Sequence, residues 1–161
     1  MKRSVLFGVF LALLVATIAF AQGKPNFSGT WTPPAPAAGA GGGGGGGRGG
    51  GMGGPMTVTQ NDKTLTVERT TQNGTTKTVY NLDGTESKNE MPGRGGGAPT
   101  VQTSTAKWDG AKLVITTKFD GPNGPMEQVQ TWSMSADGNL QIERPGRGGG
   151  APTTTTYTKG K

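Results

Sequence analysis

The acidic side chains are the groups in this sequence best suited to acid–base chemistry. The chain has ten Asp and Glu residues but no His and no Cys, which excludes a Ser-His-Asp triad, a thiol nucleophile and a disulfide framework. Most carboxylates stand in turn sequences such as Asp83-Gly84 and Asp109-Gly110, where Asp is favoured by the backbone alone. A glycosidase-like carboxylate pair is left open, but no spacing fits a calcium loop. We predict a protein that is not an enzyme and uses no metal or other cofactor.

Three arginines in glycine-rich contexts are candidates for anion recognition. The segment from Pro92 to Thr100 recurs letter for letter from Pro145 to Thr153, so Arg94 and Arg147 are equivalent, and Arg48 lies in a separate polyglycine tract. A guanidinium group makes bidentate contacts with a carboxylate or phosphate. The RGG segments of RNA-binding proteins carry more repeats with interleaved aromatic residues. We therefore predict no nucleic-acid partner.

Aromatic residues supply the second set of candidate ligand contacts. The natural liners of a binding cavity are aromatic residues, because their rings offer apolar area and a polar handle; here they are Trp31, Trp108, Trp132, Tyr80 and Phe119. Of these, Trp31, Tyr80 and Trp132 form the predicted ligand-binding set for a small molecule, together with Arg94 and Arg147. The alternative is that the aromatic rings are ordinary core residues.

The N-terminus is typical of an export signal. Residues 1–3 are basic at two positions, Val5 to Phe20 is nearly all apolar, and Ala19-Phe20-Ala21 fits a signal-peptidase site. The apolar run is shorter than the roughly 20 residues that span a bilayer. An uncleaved anchor is the alternative. We predict a signal peptide at 1–21, a single domain at 22–161 with no transmembrane span, and a periplasmic or extracellular location. Removal of Lys2 and Arg3 lowers the net charge from +6 to +4.

The remaining chain reads as short Thr-rich strands separated by turn sequences. Alternating polar and apolar residues bounded by Asn-Gly and Asp-Gly predict an all-β fold. We expect an antiparallel up-and-down meander of eight to ten strands, as a closed or nearly closed barrel, with a sandwich as the alternative. The flexible Pro/Gly-rich loop is placed at 33–55 and the duplicated loops at 92–100 and 145–153. Nine strands are predicted individually: 27–31, 56–60, 63–69, 75–82, 100–108, 112–119, 126–135, 140–144 and 153–159.

The core is predicted from the large apolar residues of these strands, with Thr, Gln or Ser filling other inward positions. The predicted core residues are Phe27, Trp31, Val58, Leu65, Val67, Tyr80, Leu82, Val101, Trp108, Leu113, Ile115, Phe119, Trp132, Met134, Leu140, Ile142 and Tyr157.

Asn26-Phe27-Ser28-Gly29-Thr30-Trp31, followed by a meander, resembles the opening of the calycin-type barrels, which include lipocalins and fatty-acid-binding proteins. Those families begin with a Gly-x-Trp strand, matched by Gly29-Thr30-Trp31. The resemblance implies a barrel that binds one small apolar or anionic ligand. It also implies a late-strand arginine packed over the tryptophan, for which Arg144 is the candidate. The alternative function is a ligand-free structural protein of the cell envelope that displays its glycine-rich loops.

Strand parity predicts which connections share an end of the barrel. With nine strands, residues 84–99, 120–125 and 145–152 lie at one end, and the tight turns at 73–74, 109–110 and 136–139 at the other. The 33–55 loop falls with the tight turns, so Arg48 is left out of the predicted site. If Asp83-Gly84 is itself a hairpin turn followed by a strand within 85–91, the parity after it inverts.

Overall fold

In the computed structural model, residues 23–35, 54–71, 74–92, 97–121, 124–146 and 150–160 are described. These ranges contain strands and turns, with no helix of a length and hydropathy that would cross a membrane. The strands are β1 (Gly29–Thr32), β2 (Met56–Gln60), β3 (Thr64–Thr71), β4 (Gly74–Asn81), β5 (Ser87–Met91), β6 (Thr100–Asp109), β7 (Lys112–Gly121), β8 (Gly124–Met134), β9 (Leu140–Arg144) and β10 (Thr153–Lys159). The predicted signal peptide at 1–21 lies outside the described residues.

The ten strands form one antiparallel sheet that curls into a nearly closed barrel. Their order is β4-β3-β2-β1-β10-β9-β8-β7-β6-β5, so sequence neighbours pair and β1 joins β10. Trp31 lies opposite Lys159 in that closing pair. The up-and-down barrel predicted from the sequence is confirmed.

The segment 87–91 forms a strand that the nine-strand prediction omitted. Asp83 begins a turn in which its side-chain Oδ1 accepts hydrogen bonds from the backbone N of Thr85, at 2.9 Å, and from the Thr85 hydroxyl, at 2.6 Å. β5 then alternates, with Ser87 and Asn89 buried. The sequence did not show the two-residue period of this strand, because the buried residues Ser87 and Asn89 are polar, like the exposed residues between them. The first strand also begins at Gly29 rather than at Phe27.

The extra strand decides which connections share an end of the barrel. One end, here called the glycine-rich end, carries the connections 33–55, 72–73, 92–99, 122–123 and 145–152. The opposite closed end carries the short turns 61–63, 82–86, 110–111 and 135–139, together with the N-terminal segment. The nine-strand sorting was therefore wrong, and the inverted parity is correct. The two repeat connections do share an end, and the 33–55 connection leaves from that end too. The ground for leaving out Arg48 no longer holds.

The closed end is sealed by the segment that precedes β1. Gln60 accepts a hydrogen bond from the backbone N of Phe27 at 2.9 Å and donates to the carbonyl of Pro25 at 3.1 Å. Phe27 is fully buried, stacked on Trp108 and edge-on to Trp132, with ring centroids 5.8 Å apart in each pair. The Gln60 carboxamide therefore fixes the segment before β1, and Phe27 of that segment fills the closed end of the barrel.

The apolar core agrees with the predicted list apart from a few positions. Phe27, Trp31, Leu65 and most of the other predicted residues are buried, while Met56 and Ala106 join them unpredicted. Val101 is 55% exposed, so its prediction was wrong. Side chains alternate along a strand, and Val101 is an odd number of residues from Trp108, which faces the core. The two cannot share a face of β6.

A side chain, rather than a backbone ladder, joins β4 to β5 and completes the ring of strands. Within the described residues of these two strands no backbone ladder joins them. The buried carboxamide of Asn89 instead accepts from the backbone N of Val79 at 2.8 Å and donates to the Val79 carbonyl at 3.0 Å. This pair of bonds reproduces what a facing peptide group would make in a ladder. Asn81 adds a bond to the Glu86 carbonyl at 3.0 Å.

Replacing Asn89 with Ala is expected to lower the free energy of unfolding by about 2–4 kcal/mol, because two buried backbone groups of Val79 lose their partner. Asn89→Asp keeps the acceptor, loses the donor and buries a charge, so it should destabilise more at neutral pH than at low pH. Urea denaturation followed by circular dichroism measures both. Lys88→Ala, on the outer face of β5, is the matched control. Equal urea midpoints for Asn89→Ala and Lys88→Ala would show that the stability of the barrel does not depend on the hydrogen bonds between Asn89 and Val79.

Candidate polar site inside the barrel

The inward positions of β6, β7 and β8 change from apolar to polar near the middle of the strands, and on β7 the inward-facing Phe119 follows the polar position towards the glycine-rich end. Trp108 and Ala106 on β6, Leu113 and Ile115 on β7, and Trp132 on β8 lie nearer the closed end. The next inward positions on the same strands are Ser104, Thr117 and Gln130, each buried. Buried polar groups stabilise a fold less than apolar groups of the same size. Their concentration in one region makes it the candidate site.

These polar side chains are held in place by one another and by the strands. The hydroxyls of Ser104 and Thr117 are 2.9 Å apart, on directly opposed positions of β6 and β7. The carboxamide oxygen of Gln130 accepts from the indole nitrogen of Trp132 at 3.3 Å. Ser87 donates to the carbonyl of Ser104 at 3.2 Å. Ser87, Ser104 and Thr117 are thus joined in one hydrogen-bonded set, and Gln130 and Trp132 form a second.

Two arginines face the interior from different parts of the wall. Arg69 follows the buried residues Leu65 and Val67 on the inward face of β3, and it donates through Nη1 to the Gly54 carbonyl at 3.1 Å. Arg144 follows Leu140 and Ile142 on the inward face of β9, and its Nε atom is buried. The β8–β9 register continues from the Trp132–Ile142 pair to bring Arg144 opposite Gln130. Both arginines therefore lie on the inward face of the wall near the glycine-rich end, and each is half-buried.

The pKa of the Tyr80 phenol responds to the charges of both arginines. Its side chain is on the inward face of β4, 7% exposed. Burial raises the pKa of the Tyr80 phenol above its ordinary value of 10.0, and the charges of Arg69 and Arg144 partly oppose that rise. The phenol is therefore protonated at neutral pH and within electrostatic range of both guanidinium groups. We call Arg69, Tyr80, Ser104, Thr117, Gln130 and Arg144 the inner polar cluster.

Negative charge is confined to the outside of the barrel. All ten Asp and Glu residues lie in the described ranges, and each is exposed. Among those ranges no three acidic side chains come together in a way that would hold a metal ion. The salt bridge between Lys77 and Glu68, at 3.6 Å, is on the outer face. The ionised side chains that line the inner polar cluster are thus cationic.

The structure brings three of the five predicted site residues into the barrel. Trp31 is fully buried and donates through its indole nitrogen to the Phe27 carbonyl at 2.8 Å, and Trp132 is 1% exposed. Tyr80 belongs to the inner polar cluster. Arg94 and Arg147 lie outside the described residues, so their role stays a prediction. The cation found over the Trp31 ring is Lys159, with Nζ 5.8 Å from the centroid, whereas the resemblance implied Arg144.

Sequence reasoning did not place Arg69, Gln130 or Arg144 in a ligand site. The signal was nevertheless present, because Leu65, Val67 and Arg69 share one face by strand alternation, as do Leu140, Ile142 and Arg144. An arginine in phase with buried residues at the end of a strand points inward. Which opposite strands it meets depends on closure of the barrel, which the pattern does not specify.

The fold and the inner polar cluster together define an antiparallel up-and-down β-barrel with a cationic, polar interior region. No protein-family model matches the chain, and no curated protein does either.

The Tyr80 phenol is expected to make stability fall with pH in the alkaline range. Because its pKa is raised in the folded protein, the unfolded chain loses this proton first, and stability declines as pH rises above about 10. Tyr80→Phe removes the ionisation and should flatten that decline relative to the original protein. Urea midpoints at pH 8, 10 and 11 measure it, with Tyr157→Phe as the control. Parallel declines for Tyr80→Phe and the original protein would contradict the assignment.

Proposed function

We propose that this chain is an exported β-barrel of lipocalin-like type that binds a small polar molecule at the inner polar cluster. The observation that carries the proposal is the buried polar set Ser104, Thr117 and Gln130 on neighbouring strands, with Arg144 in register with Gln130. An interior that served stability alone would be better filled by apolar side chains. Ten strands also enclose more space than the eight whose side chains just fill a barrel.

The two ends of the barrel differ in how they would admit a ligand. The closed end is plugged by Phe27 and the Gln60 hydrogen bonds, and its turns are short. The polar inward positions of β6–β8 lie farther from the closed end, and the three long connections 33–55, 92–99 and 145–152 leave from the glycine-rich end, together with the two-residue connections 72–73 and 122–123. This supports entry at the glycine-rich end. The leader-like residues 1–21 support export.

Gln130 offers a direct test because it is buried and contacts Trp132. Gln130→Met conserves the shape of the side chain and removes its hydrogen bonding. We expect a loss of stability of about 1–3 kcal/mol, because the buried Trp132 indole N–H loses this acceptor, and about tenfold weaker binding. The molecule that co-purifies with the protein from its native cell envelope is identified by native mass spectrometry and then titrated by Trp fluorescence.

Gln141→Met, at a half-buried outer-face position of β9, is the matched control and should bind as the original protein does. A protein that co-purifies with nothing and shows no fluorescence response to polar or apolar small molecules would contradict ligand binding. That result would favour the alternative function, a structural protein of the cell envelope.

A further inference from the structure

The sulfur of Met126 is an exposed, reactive group near the glycine-rich end that the proposed binding function does not use. We propose that Met126 is a site of reversible oxidation, at which a hydroperoxide converts the thioether to a sulfoxide. The inference goes beyond ligand binding, since it rests on a side chain outside the inner polar cluster.

Exposure distinguishes Met126 from the other methionines of the described residues. Met126 is 48% exposed, whereas Met56 is 2% exposed and Met134 is partly buried against the apolar core. Met91, at the end of β5, is half-buried. The chain has no Cys, so thioethers are its only divalent sulfur. Because an oxidant must reach the sulfur to react with it, exposure makes Met126 the most reactive of these four.

The surroundings of Met126 hold the thioether beside an open cleft. Met126 is paired with Phe119 across β7 and β8, and its side chain lies over Gly121. A Cβ atom on Gly121 would come within 2.8 Å of Cγ of Met126 and closer still to Sδ, so the absence of a side chain there leaves room for the thioether. Met126 also lines a cleft of about 400 Å³ with Val101 and Pro125. A hydroperoxide is much smaller than this cleft and reaches the side chain without opening of the barrel.

The oxidation balances with the hydroperoxide as the only co-reactant. A lone pair of Sδ attacks one peroxide oxygen, so that an S–O bond forms and the O–O bond breaks. The sulfur loses two electrons and the peroxide gains them. The departing oxygen takes up the proton of the transferred oxygen and leaves as water or an alcohol. Methionine sulfoxide reductases reverse the change.

The position of Met126 also allows the barrel to stay folded after oxidation. A sulfoxide is polar where the thioether is apolar, and half of the Met126 side chain is already in solvent, outside the apolar core. The same change at Met56 would place a polar oxygen among buried apolar side chains, where it costs free energy. Oxidation of Met126 therefore changes the polarity of the cleft and leaves the core intact.

The experiment is treatment of the full exported chain with hydrogen peroxide at neutral pH, with the sulfoxide of each methionine followed by peptide mass spectrometry. Met126 is expected to be oxidised at least about threefold faster than Met91 and Met134, and at least about tenfold faster than Met56. The urea midpoint should be unchanged while Met56 is still reduced. Incubation with the two methionine sulfoxide reductases, one for each sulfoxide epimer, should restore the thioether of Met126.

Two variants make the test specific. Met126→Leu keeps an apolar side chain of similar size without sulfur, and it should leave the oxidation rates of Met91 and Met134 unchanged. Met134→Leu is the matched control, in which Met126 should be oxidised as fast as in the original protein.

Three outcomes would overturn the inference: oxidation of Met134 or Met91 as fast as that of Met126, a Met126 sulfoxide that the reductases do not reduce, or a urea midpoint that peroxide lowers in the original protein but not in Met126→Leu. Each of these results is independent of whether the barrel binds a small molecule, so the inference and the proposed function fail or stand separately.

Discussion

The side chain of Asn89 is what allows a ten-stranded sheet to close on itself. Nine pairs of strands are joined by backbone ladders, and the tenth seam, between β4 and β5, is joined through the two hydrogen bonds from this carboxamide to Val79. An open edge would expose backbone groups to other chains. Because the seam is narrow and Asn89 is buried there, the inward faces of β4 and β5 look into the same interior as those of β8 and β9. The placement of Tyr80 and Arg144 on the inward faces of one interior depends on this closure.

Along β6, β7 and β8 the interior has an apolar part and a polar part, and the two parts contribute differently to stability. Apolar side chains and the Phe27 plug fill the closed end, where burial provides the stability of the fold. The polar positions lie farther from the closed end, where they contribute less to stability than apolar side chains would. A small barrel without disulfides therefore depends on its closed-end packing.

The arrangement of charge follows the same division. Every carboxylate is outside or in a turn, and the inward-facing arginines are inside. Strand alternation produces this sorting, because a charged residue placed one position along a strand changes face. On β9 the neighbours Glu143 and Arg144 are exposed and half-buried respectively, which puts opposite charges on opposite faces of the wall.

The sequence by itself determined the all-β class, the antiparallel meander and most of the core. Local signals suffice for these, since Asp-Gly and Asn-Gly specify turns and period-two patterns specify faces. Glycines 84, 110 and 138 have the positive φ that such turns require. The strand at 87–91 escaped that reading because polar residues occupy both of its faces. Only the tertiary structure decided that this strand closes the barrel, which end each connection leaves from, and that Arg69, Tyr80 and Arg144 face the same interior. Those features arise from contacts between strands far apart in the chain, and a local pattern of residue types does not encode the curvature and closure that bring such strands together.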